Sequence, residues 1–426
     1  MRPNDASANT TDQEVTSQRQ ALGAEAPRAP APLTSWWSDP PPRDVQQALA
    51  RLRRAPDVVQ VSAMPDVHLA REVCVGTVVA TRRLLYPAAV GGDIGCGMAA
   101  IAFDGDPTAL SREPERARRI LESLQRRVPI LRHGRVDHAP PMPETLAGER
   151  ARLSAPSLES HRRRTAKIQL GTLGRGNHFL ELQYETLGRR APPHLWLMLH
   201  SGSRAIGREI RAHHERLATP LYAGLRGLDA DSPAGRAYLH DMSWALRYAA
   251  ANRGAMLQRA VEIVAEQLGL SAARSTRVDC HHNFVRREAI TSRAPTRERG
   301  EPVTELLWVH RKGAISAARG EPGLIPGSMG TPSYHVEGRG CGEALCSSAH
   351  GAGRRLARGA ARREISTRRL RAQLRDARVH WDEALAGKLR AEAPGAYKDI
   401  HAVMRAQRPL TRVTRELRPV LSYKGP

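Results

Sequence analysis

Eight residues early in the chain, Gly91-Gly92-Asp93-Ile94-Gly95-Cys96-Gly97-Met98, restrict what it can fold into more than any other segment. Four glycines there surround an aspartate and a cysteine three residues apart. Glycine lets the backbone take positive φ and pass close to a ligand or another strand. A carboxylate and a thiol on such a loop offer one hard oxygen and one soft sulfur to a shared point, which suits a metal ion. The plainer reading is that Asp93 caps a turn and Cys96 is a small buried hydrophobe. Val75–Ala80 and Met98–Phe103 read as strands flanking the loop.

The rest of the chain reads as a mixture of helices and strands. Residues 44–54 form a short helix with Val45, Leu49 and Leu52 on one face, and 115–127 a basic amphipathic helix with Ile120, Leu121 and Leu124 inward. Leu195–Leu199 is a short apolar run, read as a buried strand with His200 at its end, and Leu306–Val309 is another, ending at His310. Helical periodicity covers 236–268 with a break expected near Gly254, and 365–392 reads as mostly helical and charged. Residues 1–33 are rich in Ala, Pro, Ser, Thr, Asn and Gln and read as a disordered tail. No repeat or linker interrupts 34–426, so the expected fold class is α+β, a single large mixed domain with central β-sheets flanked by helices. The five cysteines show no disulfide spacing, and there is no apolar leader or long apolar run. A cytoplasmic protein without membrane contact is the expectation.

The chain carries 66 Lys+Arg against 43 Asp+Glu, a formal net charge of +23. Such a field favours polyanions, nucleic acid first among them. Only five of the cations are lysines, so a compositional preference for arginine accounts for part of the excess. Aromatic residues make up 4%, too few to stack many successive bases, so phosphate contacts would dominate any nucleic-acid binding. Arg162-Arg163-Arg164 and the cluster from Arg354 to Arg371 are candidate phosphate contacts or simply solvated faces.

Four histidines sit in Gly-, Ser- or Asn-containing turns: His178 in Gly-Asn-His-Phe, His200 in His-Ser-Gly-Ser-Arg, His282 in His-His-Asn, and His350 in His-Gly-Ala-Gly-Arg. Each alone is an ordinary polar residue. Together with Asp93 and Cys96 they suit a borderline transition metal, Zn, Mn, Fe or Co, assembled from distant segments. His161, His194, His213, His214 and His240 read as surface residues, and Cys74, Cys280, Cys341 and Cys346 as structural. Pro326-Gly327-Ser328-Met329-Gly330-Thr331 has the ingredients of an anion-binding nest, and Ser347–Arg355 leads toward a helix whose N-terminus would favour phosphate. Neither is a Walker A motif. An imidazole beside such a nest can attack phosphorus. From the residues alone the chemistry is metal-dependent phosphoryl or nucleotidyl transfer on a polyanionic substrate.

These segments occur together in one family. The chain resembles the RtcB RNA-splicing ligases in Met64-Pro65-Asp66-Val67-His68, Pro87–Met98, Leu170–Glu181, Leu199–Gly207, Cys280–Asn283, His310–Gly313, Ile325–Tyr334, Ser347–Arg355, Tyr397–Ile400 and Lys424-Gly425. The resemblance implies an enzyme that joins an RNA 3′-phosphate or 2′,3′-cyclic phosphate to a 5′-hydroxyl in RNA repair or tRNA splicing, using GTP and two Mn²⁺ ions. It implies that His350 becomes guanylylated. It further implies that Asp93, Cys96, His178, His200 and His282 hold the metals, Cys96 between them. Asn177, His178, Phe179, Leu180, Glu181, His282, Asn283, Pro326, Gly327, Ser328, Met329, Ser333, His350, Gly351, Ala352, Gly353 and Lys424 would hold the nucleotide, and a monomer is expected. Ala70 and Glu72 stand where the family pattern has glycine, and Leu356-Ala357-Arg358 stands where it has Met-Ser-Arg. None of these removes an implied ligand. A metallo-phosphohydrolase and a non-catalytic RNA-binding protein on the same fold are the alternatives.

Overall fold

The computed structural model describes residues 29–37, 40–104, 110, 113–187, 194–293 and 302–425. Residues 1–28 of the expected tail lie outside them. Ordered chain begins before residue 34: the Ala31 N–H donates to the Arg53 carbonyl at 2.8 Å, and Leu33–Ser35 is already a strand.

Two large sheets carry the α+β fold. The larger has, in spatial order, β10 (Ser271–His281), β5 (Gly97–Asp104), β7 (Leu195–Ser201), β6 (Phe179–Leu187), β18 (Thr411–Lys424), β15 (Ser333–Gly338) and β14 (Pro322–Ile325). Neighbours along that path are antiparallel, and β17 (His380–Trp381) adds to β18 in parallel. The second sheet runs β1 (Leu33–Ser35), β2 (Val58–His68), β3 (Val75–Thr81), β12 (Pro302–Lys312) and β11 (Asn283–Arg293). Two small sheets complete the set: β13 (Ala314–Ser316) with β16 (Ser347–Ala349), and β4 (Leu84–Leu85) with β9 (Leu225–Asp229) and β8 (Thr219–Tyr222).

Strand periodicity explains why the central strands read as continuous apolar runs. Successive side chains point to opposite faces, and both faces of the larger sheet are covered. Ala99, Ile101 and Phe103 of β5 and Leu195, Leu197 and Leu199 of β7 face helices α2 (Pro114–Arg127) and α4 (Pro233–Leu268). The alternate residues Met98, Ala100, Ala102, Trp196 and Met198 pack with Leu324 and Leu417 on the other side. Helix α1 (Arg43–Leu52) buries Val45, Leu49 and Leu52 as expected, and α2 buries Ile120, Leu121 and Leu124.

Two expectations need correction for physical reasons. Helix α4 is one 36-residue helix without a break at Gly254. The two preceding side chains hold it: the Asn252 Oδ1 accepts from the Gly171 and Thr172 N–H groups, and Arg253 donates to Asp279 and to the Gly95 and Ser201 carbonyls. Those buried bonds outweigh a glycine penalty of about 1 kcal/mol. The run Leu306–Val309 lies inside the longer β12, where Leu307 and Val309 are buried, Trp308 is half-buried against a second core cluster and Leu306 is 53% exposed, so the strand is not buried along its whole length. The 365–392 segment is mostly helical as expected: a helix over Thr367–Asp376 and short helical turns running from Glu383 to Glu392, with Arg378 at φ 56° and β17 between them.

The topology places one feature above all. Gly97 opens β5, Ser201 closes β7, Phe179 opens β6, Lys424 closes β18 and His281 closes β10, and all pair at the same end of the sheet. A single residue, His282, separates β10 from β11 and so stands at the corner between the two large sheets.

Candidate functional site

The Asp93–Cys96 loop sits against that corner. Gly95 N–H donates to the Asn283 carbonyl at 2.8 Å, Cys96 N–H to the Asp93 carbonyl at 3.0 Å, and His282 N–H to the Cys96 carbonyl at 2.8 Å. The Asn283 amide spans the gap, donating to the Asp93 carbonyl at 3.0 Å and accepting from the Gly313 N–H at 2.8 Å. A Cβ at position 202 would lie 2.3 Å from Asp93 Oδ1, so the turn after His200 must be glycine for the carboxylate to point inward.

Four buried donor groups and the half-buried Asp93 converge there. His178 Nε2 lies 3.0 Å from Asp93 Oδ2 and 3.4 Å from Cys96 Sγ. His200 Nε2 lies 3.1 Å from the same sulfur and 3.3 Å from His282 Nε2. The opposite ring nitrogens settle the tautomers. His178 Nδ1 is 2.8 Å from the Leu173 carbonyl and His200 Nδ1 is 3.1 Å from the Asn177 carbonyl. A carbonyl can only accept, so both Nδ1 atoms carry hydrogen and both Nε2 atoms present lone pairs. Lone pairs, a sulfur and a carboxylate thus face one another, and Asp93 Oδ1 and His282 Nδ1 have no hydrogen-bond partner. One thiol proton cannot satisfy that set, whereas a cation can. Cys96, His178 and His200 alone place three ligand atoms within 4.8 Å of one another.

Burial shapes the titration of these groups. It drives His200 and His282 well below the usual histidine range, helped by the neighbouring histidines, which leaves neutral imidazole, the metal-binding form. Burial and then the Asp93 charge push the Cys96 thiol well up, a direction that a bound cation reverses. Burial also opposes ionisation of Asp93, but His178, Cys96 and Arg204 more than offset it and lower its pKa overall.

His350 follows β16 directly, its ring centroid 4.8 Å from that of His282. Its Nδ1 is 2.6 Å from Asp66 Oδ2, and its backbone N–H donates to the same oxygen at 3.2 Å. Asp66 is fully buried at the end of β2, and Gly353 (φ 72°) allows the chain to cross it, since a Cβ there would lie 2.3 Å from the Asp66 carbonyl. The helix after His350 starts only at Arg358, so the loop is held by Asp66 and by an Arg354–Tyr397 bridge rather than by a helix N-terminus.

Beyond His350 the same open cleft, about 1140 Å³ including its mouth, runs past Asn177, Phe179, Glu181, Pro326–Met329 and Lys424. Glu181 is buried, accepts from Gln183 and Ser422 at 2.9 Å each, and is pushed up to about 7 by burial, which Lys424 partly offsets. Lys424 Nζ lies 3.6 Å from Glu392 Oε2 and 5.3 Å from the Phe179 ring centre. Burial opposes the Glu392 charge, but Lys424, Arg354, Arg358 and Tyr397 outweigh it. The structure therefore brings together every residue implied as a metal ligand or nucleotide contact except two, whereas Arg162 and Arg163 are taken up by Glu159 away from both. Leu180 packs in the core under the sheet, and Ser333 stands behind the cleft wall, accepting from Gln183 at 3.1 Å.

Four residues given no role from the sequence stand at the site: Lys312 and Tyr397 line the cleft, Asp66 lies behind His350, and Glu392 behind Arg354 and Lys424. Asp66 lies in a quoted motif, but its pairing with His350 spans 284 residues and leaves no local trace. His68 also lines the cleft, its Nδ1 held at 3.0 Å by the Asp66 carbonyl, and burial lowers it to about 4. His214 is a correction: it is wholly buried, with Nε2 2.8 Å from Asp241 Oδ2, and not on the surface.

Known proteins carry the same arrangement of segments. A family profile described as "RtcB: tRNA-splicing ligase RtcB" matches residues 48–425. The chain is similar to the RNA-splicing ligase RtcB of Escherichia coli strain K12, at 33% identity over 93% of this chain and 98% of that protein. It is 31% identical to the RNA-splicing ligase RtcB of Mycobacterium tuberculosis, covering 87% and 98% respectively. RNA-splicing ligase RtcB homolog 2 of Entamoeba dispar matches at 27% identity over 88% of this chain and 82% of that protein. No helix among the described residues is long and apolar enough to cross a membrane. With its family profile, its relatives and its converging donor cluster in agreement, the chain belongs to the RtcB family of RNA ligases.

Proposed function

We propose that this protein is a GTP- and Mn²⁺-dependent ligase that joins RNA 3′-phosphate or 2′,3′-cyclic phosphate ends to 5′-hydroxyl ends through a guanylylated His350. The observation that carries the reading is the nucleophile's setting: His350 has Nδ1 2.6 Å from the buried Asp66 carboxylate and stands beside the donor cluster. With Nδ1 facing that carboxylate, Nε2 is the atom left to attack. Asp93, Cys96, His178, His200 and His282 would hold two Mn²⁺ ions. When bound, those ions supply charge neutralisation at phosphate oxygens. Hard carboxylate, soft sulfur and neutral imidazole fit a borderline cation, and the partnerless Asp93 Oδ1 supports the fit.

His350 Nε2 attacks the α-phosphorus of GTP, and the bond to pyrophosphate breaks as the N–P bond forms. A 2′,3′-cyclic end is first opened by water, which breaks the P–O2′ bond and leaves a 2′-hydroxyl and a 3′-phosphate; an oxygen of the 3′-phosphate then takes the GMP from His350. The 5′-hydroxyl oxygen finally attacks the 3′-phosphate phosphorus, loses its proton and displaces GMP. Glu181, with Lys424 and Phe179 around it, suits a purine edge and its phosphates: a buried carboxyl pushed up to about 7 and a buried ammonium beside a ring. Asn177, Asn283, the Pro326–Met329 loop and Gly351–Gly353 complete the nucleotide wall, with Ser333 bracing the loop through the Gly327 N–H at 3.4 Å. Five free cysteines suit a reducing cytoplasm.

The test is incubation with Mn²⁺ and GTP labelled at the α-phosphate. The wild type should take up covalent label and His350→Ala none. Label retained on His350→Ala would remove His350 from the role. A metal-loaded wild type that takes no label would instead favour a phosphohydrolase or a binding protein on this fold.

A further inference from the structure

Asp66 owes its place at His350 to more than its own strand. Along β2 the pairing with β3 steps from Ala63 opposite Thr77 to His68 opposite Val75, so Met64–Val67 have only Gly76 across from them. Such a bulge re-aims a side chain and leaves ladder carbonyls without their usual donors. Two of those carbonyls, of Pro65 and Val67, flank Asp66, and both accept from one ammonium. Lys398 Nζ lies 3.0 Å from the first and 2.6 Å from the second. The backbone of the same residue reaches the other partner: the Lys398 N–H donates to the Gly353 carbonyl at 3.0 Å, in the loop that follows His350. Lys398 thus ties together the segment that carries Asp66 and the loop that carries His350.

The residue type fits that task. Only five cations of the chain are lysines, and three of them, Lys312, Lys398 and Lys424, stand in or directly behind this cleft. A compact ammonium with three donors fits between two carbonyls two residues apart, whereas guanidinium is a wider planar fork. Lys398 is half-buried and does not line the cleft, so it has no contact with nucleotide to offer. Burial lowers its pKa and the Asp66 charge opposes that lowering, so the ammonium and the carboxylate act on each other. We propose that Lys398 is a positioning residue for the nucleophile: by holding the carbonyls on either side of Asp66 and the carbonyl of Gly353, it keeps the Asp66 carboxylate against His350 Nδ1. The inference rests on the ligase reading for what His350 does, and on the bulge and its hydrogen bonds for the place of Lys398.

The first readout is a crystal structure of the full chain carrying Lys398→Met, a side chain of similar length without donors. The Pro65 and Val67 carbonyls should turn away, and Asp66 Oδ2 should move from 2.6 Å to beyond hydrogen-bond reach of His350 Nδ1. The second readout is the initial rate of GMP uptake from GTP labelled at the α-phosphate. Lys398→Met should lower it by about ten- to a hundredfold, with half-saturation by GTP within about twofold and Mn²⁺ content unchanged. In an Asp66→Asn background the same substitution should change the rate by less than about twofold, because a residue that acts through Asp66 has nothing left to act on. Lys398→Gln keeps an amide donor and should lose less on both readouts, and it carries the test if the Met variant does not fold. Asp66 unmoved in Lys398→Met overturns the proposal. So do falls that multiply in the double variant, weaker half-saturation by GTP at an unchanged rate, or a Gln variant that loses as much as the Met variant. A wild type that takes no GMP label would remove the ligase reading, and the crystal structure would then decide the place of Lys398 by itself.

Discussion

On the proposed mechanism Asp66 is the side chain that assists His350. Its Oδ2 lies 2.6 Å from Nδ1, where its charge would stabilise the cation that forms when Nε2 bonds to phosphorus. Asp66→Asn keeps the size and removes the charge. The initial rate of GMP labelling should fall by about a hundredfold or more, while Mn²⁺ content stays unchanged because Asp66 is no part of the donor cluster. An unaltered labelling rate would deny Asp66 the role. Cys96 lies within 3.4 Å of two histidine Nε2 atoms, so its sulfur is the centre of the cluster. In Cys96→Ser the hydroxyl stays protonated and donates poorly to two cations at once. Bound manganese measured by elemental analysis should drop sharply, and wild-type stoichiometry would refute the bridging position.

At the scale of elements, the site depends on strand ends meeting. Antiparallel pairing alternates strand starts and finishes along one edge, so Phe179, His200 and Lys424 arrive together although 245 residues separate the first from the last. Lys424 is held by the last pair of β18 with β6 and is buried rather than frayed. Helix α4 backs this edge with Asn252 and Arg253. Gly254 beside them has helical backbone, and a Cβ there would meet only the Arg277 guanidinium, at 3.5 Å, an ordinary contact. Gly254→Ala should therefore stabilise the fold by about 0.5–1 kcal/mol through lower unfolded-state entropy. Urea unfolding reads this as a higher midpoint at constant slope. A lower midpoint would mean that the helix uses the glycine for a reason other than its backbone.

The molecule as a whole buries histidines far from the site, and these set its acid limit. His335 lies against Trp196 at 4.4 Å between ring centres, and burial lowers it from 6.5 to about 3. His310 is fully buried and lowered to about 4 by the same cause. Below pH 6.5 the unfolded chain takes up these protons and the folded chain does not. Their stability contribution is thus whole above that pH and lost on acidification toward the folded values, at up to about 1.4 kcal/mol per pH unit for each group. The melting temperature should fall between about pH 6.5 and 4, and His335→Leu should make that fall shallower. An equally steep fall in the variant would assign the acid limit to other groups. Much of this architecture was legible beforehand. The glycines around Asp93 and Cys96, the apolar runs at β5 and β7, the amphipathic α1 and α2 and the four turn histidines all leave local signatures, because glycine content and side-chain periodicity act over a few residues. The mixed α+β class follows from such signatures, and the proposed donor set and nucleophile were reached from them together with the motif resemblance. The continuity of α4 through Gly254, the burial of His214 on Asp241, the Asp66–His350 pair and the Glu392 cluster do not. Each is decided by bonds between residues distant in sequence, which only the folding of two sheets about His282 brings within a few ångströms.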